Sequence, residues 1–228
     1  MRFYIDPGTG SMLFAILIGI IGAATYMLKS WFLKLRFLLS GGKKVDTGAK
    51  KIPLVIFSDD KRYWSVFRPV CRELDKKGID TVYMTASPDD PALENDFPHI
   101  HAQFIEEGNK AFAKLNFLNA SVVLATTPGL DVYQWKRSKQ VDYYVHLPHA
   151  ASDISGYRMF GIDYYDAILL SGQYQVEQVR ALEKLRALPA KEIVKVGIPY
   201  MDDMLARLHA DPPLPEHERT VLLAPSWG

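Results

Sequence analysis

The chain has 228 residues, 48% of them hydrophobic and 23% charged, with a net charge of +1. That length accommodates one full core, or one core and the start of a second, and the charge balance excludes a global electrostatic pull toward nucleic acid. A single cysteine, Cys71, rules out an intrachain disulfide and a cysteine-built metal cluster, and reads as a small buried apolar residue.

Residues 4–11 carry turn chemistry, Asp6-Pro7-Gly8, and Ser11 is placed to cap a helix. Residues 11–28, SMLFAILIGIIGAATYML, then run without a charge, near the minimum length for a bilayer-spanning helix. A cleaved signal peptide would place its positive charges ahead of the apolar run. Here Arg2 is offset by Asp6, and the basic cluster follows: Lys29, Lys34, Arg36, Lys43, Lys44, Lys50 and Lys51 against one acid, Asp46. A core helix would show a polar face, and an in-plane helix a charged one; the latter describes residues 31–39, WFLKLRFLL, better than 11–28. Residues 1–44 therefore read as a membrane anchor with a basic interfacial helix, and 45–51 as a linker. The positive-inside rule puts Lys29 onward in the cytoplasm, where anionic lipid headgroups attract such a segment by roughly 1 kcal/mol per basic residue.

From residue 52 on, strands and helices alternate. The expected strands are 52–58, 81–85, 102–105, 122–125, 141–146, 167–170 and 193–196. The expected helices are 63–77, ended by Gly78, then 109–118, 174–188 and 200–208. A Pro-rich linker, 211–215, precedes a further apolar run, 220–224. This alternation predicts an α/β domain over 52–210 with a doubly wound parallel sheet. Right-handed crossovers collect the strand-to-helix loops along one edge. That rim gathers Asp59, Asp60, Thr126, Thr127, His149 and Ser171. No G-x-G-x-x-G follows the first strand and no G-x-x-x-x-G-K-[ST] occurs, which disfavours a dinucleotide or P-loop site.

The most informative stretch is Val145-His146-Leu147-Pro148-His149. Proline ends the strand, and histidine is the side chain that exchanges a proton near neutral pH at its ordinary pKa. His149 falls in the loop at the strand's carboxyl end, where open sheets place ligands; alternation and the preceding tyrosines suit His146 to a place within the sheet. Asp153 reads as an orienting group for either histidine or as a loop cap. Asp59 and Asp60 read as acceptor ligands or as a helix N-cap, and Ser171 as a cap or a ligand. Arg158, Lys136 and Arg137 read as phosphate contacts or as solvated surface. His99 and His101 alternate like a metal pair, but no third ligand lies nearby in sequence and a surface loop is the simpler reading.

The order of these segments, with Asp166-Ala-Ile-Leu-Leu-Ser171, then Val196-Gly-Ile-Pro-Tyr-Met-Asp202, then Leu222-Leu-Ala-Pro225-Ser-Trp-Gly228, resembles the first half of the CDP-glycerol glycerophosphotransferase family, the teichoic-acid polymerases and primases of GT-B fold. The resemblance spans about residues 52–228. It implies that 52–210 is the acceptor-side, Rossmann-like domain and that 211–228 is a linker and the first strand of a donor domain cut short at Gly228. It also implies a catalytic base at His149, although Pro148 and Ala150 stand where the family's Trp-His-Gly setting has tryptophan and glycine. His146, Asp59, Asp60, Thr126, Ser171 and Arg158 would then line the substrate site.

The implied function is a membrane-associated transferase of cell-envelope (teichoic-acid type) biosynthesis. It would move glycerol phosphate, or a related polyol phosphate, from a CDP-linked donor to a lipid-linked polymer at the cytoplasmic face of the cell membrane. The donor is a substrate, and no tightly bound cofactor or metal is expected. Membrane lipids, the lipid-linked acceptor and the absent donor-binding domain are the expected partners, nucleic acid is not, and the 228-residue chain alone is expected to be inactive. The alternatives are a sugar-nucleotide glycosyltransferase of the same fold, serving capsule or O-antigen, and a non-catalytic membrane-tethered module that binds an acceptor.

Overall fold

The computed structural model describes residues 51–210, together with Val221 and Leu223. The expected anchor (11–28), interfacial helix (31–39) and Pro-rich linker lie outside the described residues. The same holds for the apolar run 220–224, except for Val221 and Leu223, which are exposed and outside any strand. Among the described residues no helix is long and apolar enough to cross a membrane.

Seven strands form one sheet: β1 (Ile52–Ser58), β2 (Thr81–Thr85), β3 (Ile100–Phe104), β4 (Asn119–Ala125), β5 (Gln140–His146), β6 (Ala167–Leu170) and β7 (Glu192–Lys195). Their spatial order is β3-β2-β1-β4-β5-β6-β7, and every neighbouring pair is parallel. The helices are α1 (Trp64–Lys76), α2 (Gly108–Leu115), α3 (Gln173–Arg186) and α4 (Pro199–Ala210). This is the doubly wound, Rossmann-like α/β arrangement expected from the alternation.

The central strands bury both faces, which accounts for their near-continuous apolar sequences. Along β1, Val55 and Phe57 enter one layer of the core with Val123, Ala125, Trp135 and Tyr144. Ile56 points into the other layer with Phe67, Cys71, Tyr83, Leu124 and Val145. Cys71 is fully buried, and burial pushes its thiol up to about 12; it is a core residue. Phe57 meets the Trp135 ring edge-on at 5.0 Å and Phe112 at 6.3 Å.

Element edges differ from the sequence expectation where polar residues interrupt the pattern. β4 begins three residues early, because Asn119 and Ala120 pair with Gln140 and Val141. β3 begins at buried Ile100, which pairs with Thr81. α2 stops short of residue 118. Asn116 closes it, donating its side-chain amide to the Gln134 carbonyl and accepting from the Lys136 N–H. α4 docks on α1 through a two-bond ion pair, Arg72 to Asp203 at 2.7 and 2.8 Å.

Phe57→Ala removes a fully enclosed ring from beside Trp135 and is expected to cost about 3–5 kcal/mol of stability. Urea unfolding measures it, and a loss below about 1 kcal/mol would mean that this contact does not organise the core.

Candidate functional site

A parallel sheet in which β1 lies between β2 and β4 has its direction of winding reversed at β1. The loops after β1 and β4 leave toward opposite sides, and a crevice opens between them at the carboxyl ends of the strands. The register brings Phe57 beside Ala125, and Ala125 beside His146. The residues just after them therefore arrive at one level: Ser58 to Asp60, Thr126 to Gly129, and Leu147 to His149.

Among the described residues, seven buried side-chain polar atoms have no hydrogen-bond partner, and five of them lie here: Asp59 Oδ1, Thr126 Oγ1, Thr127 Oγ1, His146 Nδ1 and His149 Nδ1. An unsatisfied buried polar group costs about 1–3 kcal/mol, so it is normally eliminated unless a ligand or water uses it. Five at one sheet edge mark this crevice as the candidate site.

His149 is half-buried, and its ring lies 5.0 Å from that of Tyr63 at an interplanar angle of 51°. Burial lowers its pKa, with Asp59 pulling it upward and Arg62 downward. The imidazole is accordingly a neutral ring near pH 7. Burial also raises the pKa of the Asp59 carboxyl; the nearby Thr127 hydroxyl favours the anion, though without a hydrogen bond of normal geometry. His146 is fully buried. Tyr157 stands edge-on to it at 5.4 Å, with its hydroxyl 3.2 Å from Nε2, and Tyr165 lies at 4.9 Å. Burial, with a smaller push from His149, takes the His146 pKa from 6.5 down to about 3, against a weaker upward pull from the Ala125 carbonyl. Its place within the sheet is the one expected from alternation.

The walls are held from behind. Tyr165 donates its hydroxyl to the Thr127 carbonyl at 2.6 Å, and the Tyr165 carbonyl accepts from the buried Lys191 ammonium at 2.9 Å. Gly129 turns the loop after β4 with φ +90°, where a Cβ would come within 2.6 Å of the Tyr133 ring. Two glutamines of α3 fasten the loop that carries His149. Buried Gln175 donates to the Ser152 carbonyl and accepts from the Ser171 N–H and hydroxyl. Gln178 donates to Asp153 and accepts from the Ile154 N–H.

Of the residues singled out from the sequence, the crevice unites Asp59, Thr126, Thr127, His146 and His149. Asp60 is otherwise engaged: it caps the 3₁₀ turn Lys61–Tyr63 and holds Arg62 through Nε and Nη2. The expectation that Asp153 orients a histidine is corrected, because Asp153 is exposed and bonded to Gln178; the acid whose charge reaches His149 is Asp59. Ser171 is taken by Gln175 and Tyr174, and Arg158 is exposed. Arg137 stacks on Tyr144 and binds Asp166 and the Tyr164 carbonyl, while Lys136 binds the Asp131 carbonyl. His99 and His101 share Asp80 at 2.9 and 3.9 Å, and among the described residues no group of three or more His, Cys, Asp and Glu could hold a metal ion. Sequence reasoning missed Tyr63, Tyr157, Tyr165, Gln175 and Gln178. Each acts through a contact distant in sequence, with no local spacing to announce it. No family model, curated protein or solved structure matches the chain.

Two outcomes follow from these contacts. The folded-state pKa of His146 lies below its unfolded value, so in acid the unfolded chain takes up the proton first. Stability is then fully present above about pH 6.5 and is lost as the pH falls toward about 3. That group contributes a slope of up to about 1.4 kcal/mol per pH unit. In His146→Gln, urea unfolding across this range should lose one proton's worth of that slope; an unchanged slope would show that His146 is not held neutral. Gln175→Leu severs the tie between Ser171 and Ser152. It should cost about 1–3 kcal/mol and speed amide exchange through residues 150–154, and exchange equal to wild type would show that the glutamine does not hold the loop.

Proposed function

We propose that residues 52–210 form the acceptor-binding half of a GT-B transferase. It moves glycerol phosphate, or a related polyol phosphate, from a CDP-linked donor to a lipid-linked polymer of the cell envelope. The observation that carries this reading is the grouping at the switch point of a neutral, half-exposed imidazole, a carboxyl and two threonine hydroxyls with unmet hydrogen-bonding capacity. Such a lining suits a hydroxyl-bearing, uncharged group better than a phosphate. The cations of the adjoining turn are already committed, Arg62 to Asp60 and Lys61 to Asp89.

The chemistry needs a base at this place. A hydroxyl is a weak nucleophile at neutral pH, and a positioned imidazole removes its proton as attack proceeds. The acceptor oxygen bonds to the donor phosphorus that bears the glycerol group. The bond from that phosphorus to the CMP oxygen breaks, CMP leaves with the electron pair, and the acceptor proton passes to His149. On this reading the CDP-linked donor is held by a following domain that begins near Thr220. The segment 11–28 and the basic residues 29–51 bring the site to anionic lipid at the cytoplasmic face of the membrane.

The test uses the full-length protein with membranes and a panel of CDP- and UDP-linked donors. CMP release from CDP-glycerol, reduced about 10²–10⁴-fold in His149→Ala, is the expected result. Retained turnover in that variant would remove His149 as the base, and release of UDP in place of CMP would turn the assignment to a glycosyltransferase.

A further inference from the structure

The crevice also identifies the partner of its histidine. We propose that Asp59 is the positioning carboxylate of His149, accepting the Nδ1–H of the imidazole so that Nε2 is the nitrogen left bare to take a proton. The catalytic consequence rests on the transferase reading above; the pairing itself does not.

Both atoms are sealed from solvent, and neither has a hydrogen-bond partner in this structure. One is a ring nitrogen able to carry a proton, the other a carboxylate oxygen able only to accept one when ionised. A buried carboxylate left without a partner when ionised costs more than an unpaired neutral group. The loops that bear them are already joined. Tyr63, four residues after Asp59, packs its ring on that of His149 at 5.0 Å, which holds the segment bearing Asp59 against the loop bearing the imidazole.

The other acids and bases around the ring are accounted for. Asp60 is bound by Arg62 and Asp153 by Gln178. The groups whose charge reaches His149 are Asp59 and Arg62. His146, neighbouring in the sheet, is neutral, and the phenols of Tyr63 and Tyr157 are pushed upward by burial. Asp59 is therefore the acid positioned to fix which nitrogen carries the proton, the function that a hydrogen-bonded carboxylate performs for a general-base histidine. Thr127, whose hydroxyl favours the Asp59 anion, supports it from the β4 side.

The measurement is the tautomer and titration of His149 by ¹⁵N NMR on the histidine-labelled full chain, from about pH 5 to about pH 9, with His149→Gln assigning the resonance. Wild type should show Nδ1 protonated and Nε2 bare in the neutral ring. Asp59→Leu should revert to the Nε2–H form that free imidazole prefers, with the pKa of His149 shifted lower, and Asp59→Glu should restore the wild-type pattern. A neutral wild-type ring protonated at Nε2 overturns the proposal, and so does an Asp59→Leu variant that folds and keeps the wild-type tautomer and pKa. The wild-type spectrum decides the matter even if the leucine variant does not fold. Donor and acceptor are absent from this experiment, so a protein without transferase activity still reports the pairing, and an inactive protein with the expected tautomer counts against the transferase reading alone.

Discussion

The pairing of β4 against β1 is the constraint on which the rest of the molecule depends. β1 is held on one side by β2 and on the other by β4, and the chain reaches the second partner only after it has wound out to the β3 edge. The two crossovers cannot cover the same ground, so a crevice is left at the carboxyl ends. Register then decides what fills it. Phe57, Ala125 and His146 share one row across three strands. A slip of one residue in β5 would turn His146 from its layer and bring Leu147 into its place. The apolar packing of Phe57 against Trp135 on one face and of Ile56 and Leu124 on the other makes such a slip expensive. The chemistry at the edge is inherited from hydrophobic register several residues away.

Burial and charge compete at that edge, and burial leads at each titratable group lining it. It holds His146 neutral, keeps His149 below its ordinary pKa against the pull of Asp59, and lifts Asp59 itself. Shifts of this kind bring a carboxyl and an imidazole toward one another in proton affinity. The unprotonated imidazole that burial favours is the form that general-base chemistry at neutral pH requires. The unmet hydrogen bonds gather at the same edge, while the glutamines of α3 and Tyr165 satisfy the groups behind it.

Much of this was legible in the sequence, for definite reasons. Strands buried on both faces are continuous apolar runs, so β1, β2 and β6 fall on the expected residues. Their ends are marked by residues that leave the ladder, and this located Asp59, Thr126 and His149 on one rim. Asn119 and Ser121 masked the start of β4, because a polar residue in a strand looks the same whether its backbone is paired or free. The choice between Asp59 and Asp153 was not legible either. Asp153 is nearer to His149 in sequence by a wide margin, but α3 supplies Gln178 and captures it, and that capture depends on how a helix some twenty residues later is set against the loop. The aromatic walls escaped notice for the same reason: Tyr63, Tyr157 and Tyr165 belong to three different segments, and only the folded sheet edge makes them neighbours.

The electrostatic character of the edge also bears on what it can accomplish alone. A phosphoryl group in transfer spreads negative charge over its oxygens, and its stabilisation calls for cations or aligned N–H groups. In the turn after β1, Arg62 and Lys61 already serve Asp60 and Asp89, and Arg137 and Arg186 serve Asp166 and Asp163. Recruiting the Arg62 guanidinium would strip the Asp60 carboxylate of its ion-pair partner, leaving it only the Arg62 backbone N–H that it caps. An uncharged hydroxyl makes no such demand: it donates to an imidazole and accepts from a threonine. On the transferase reading, the division of labour between two domains is then a consequence of the lining itself. On that same reading, the half built around Asp59 and His149 would prepare the nucleophile, and the cations that meet the donor's charge would come from the other domain.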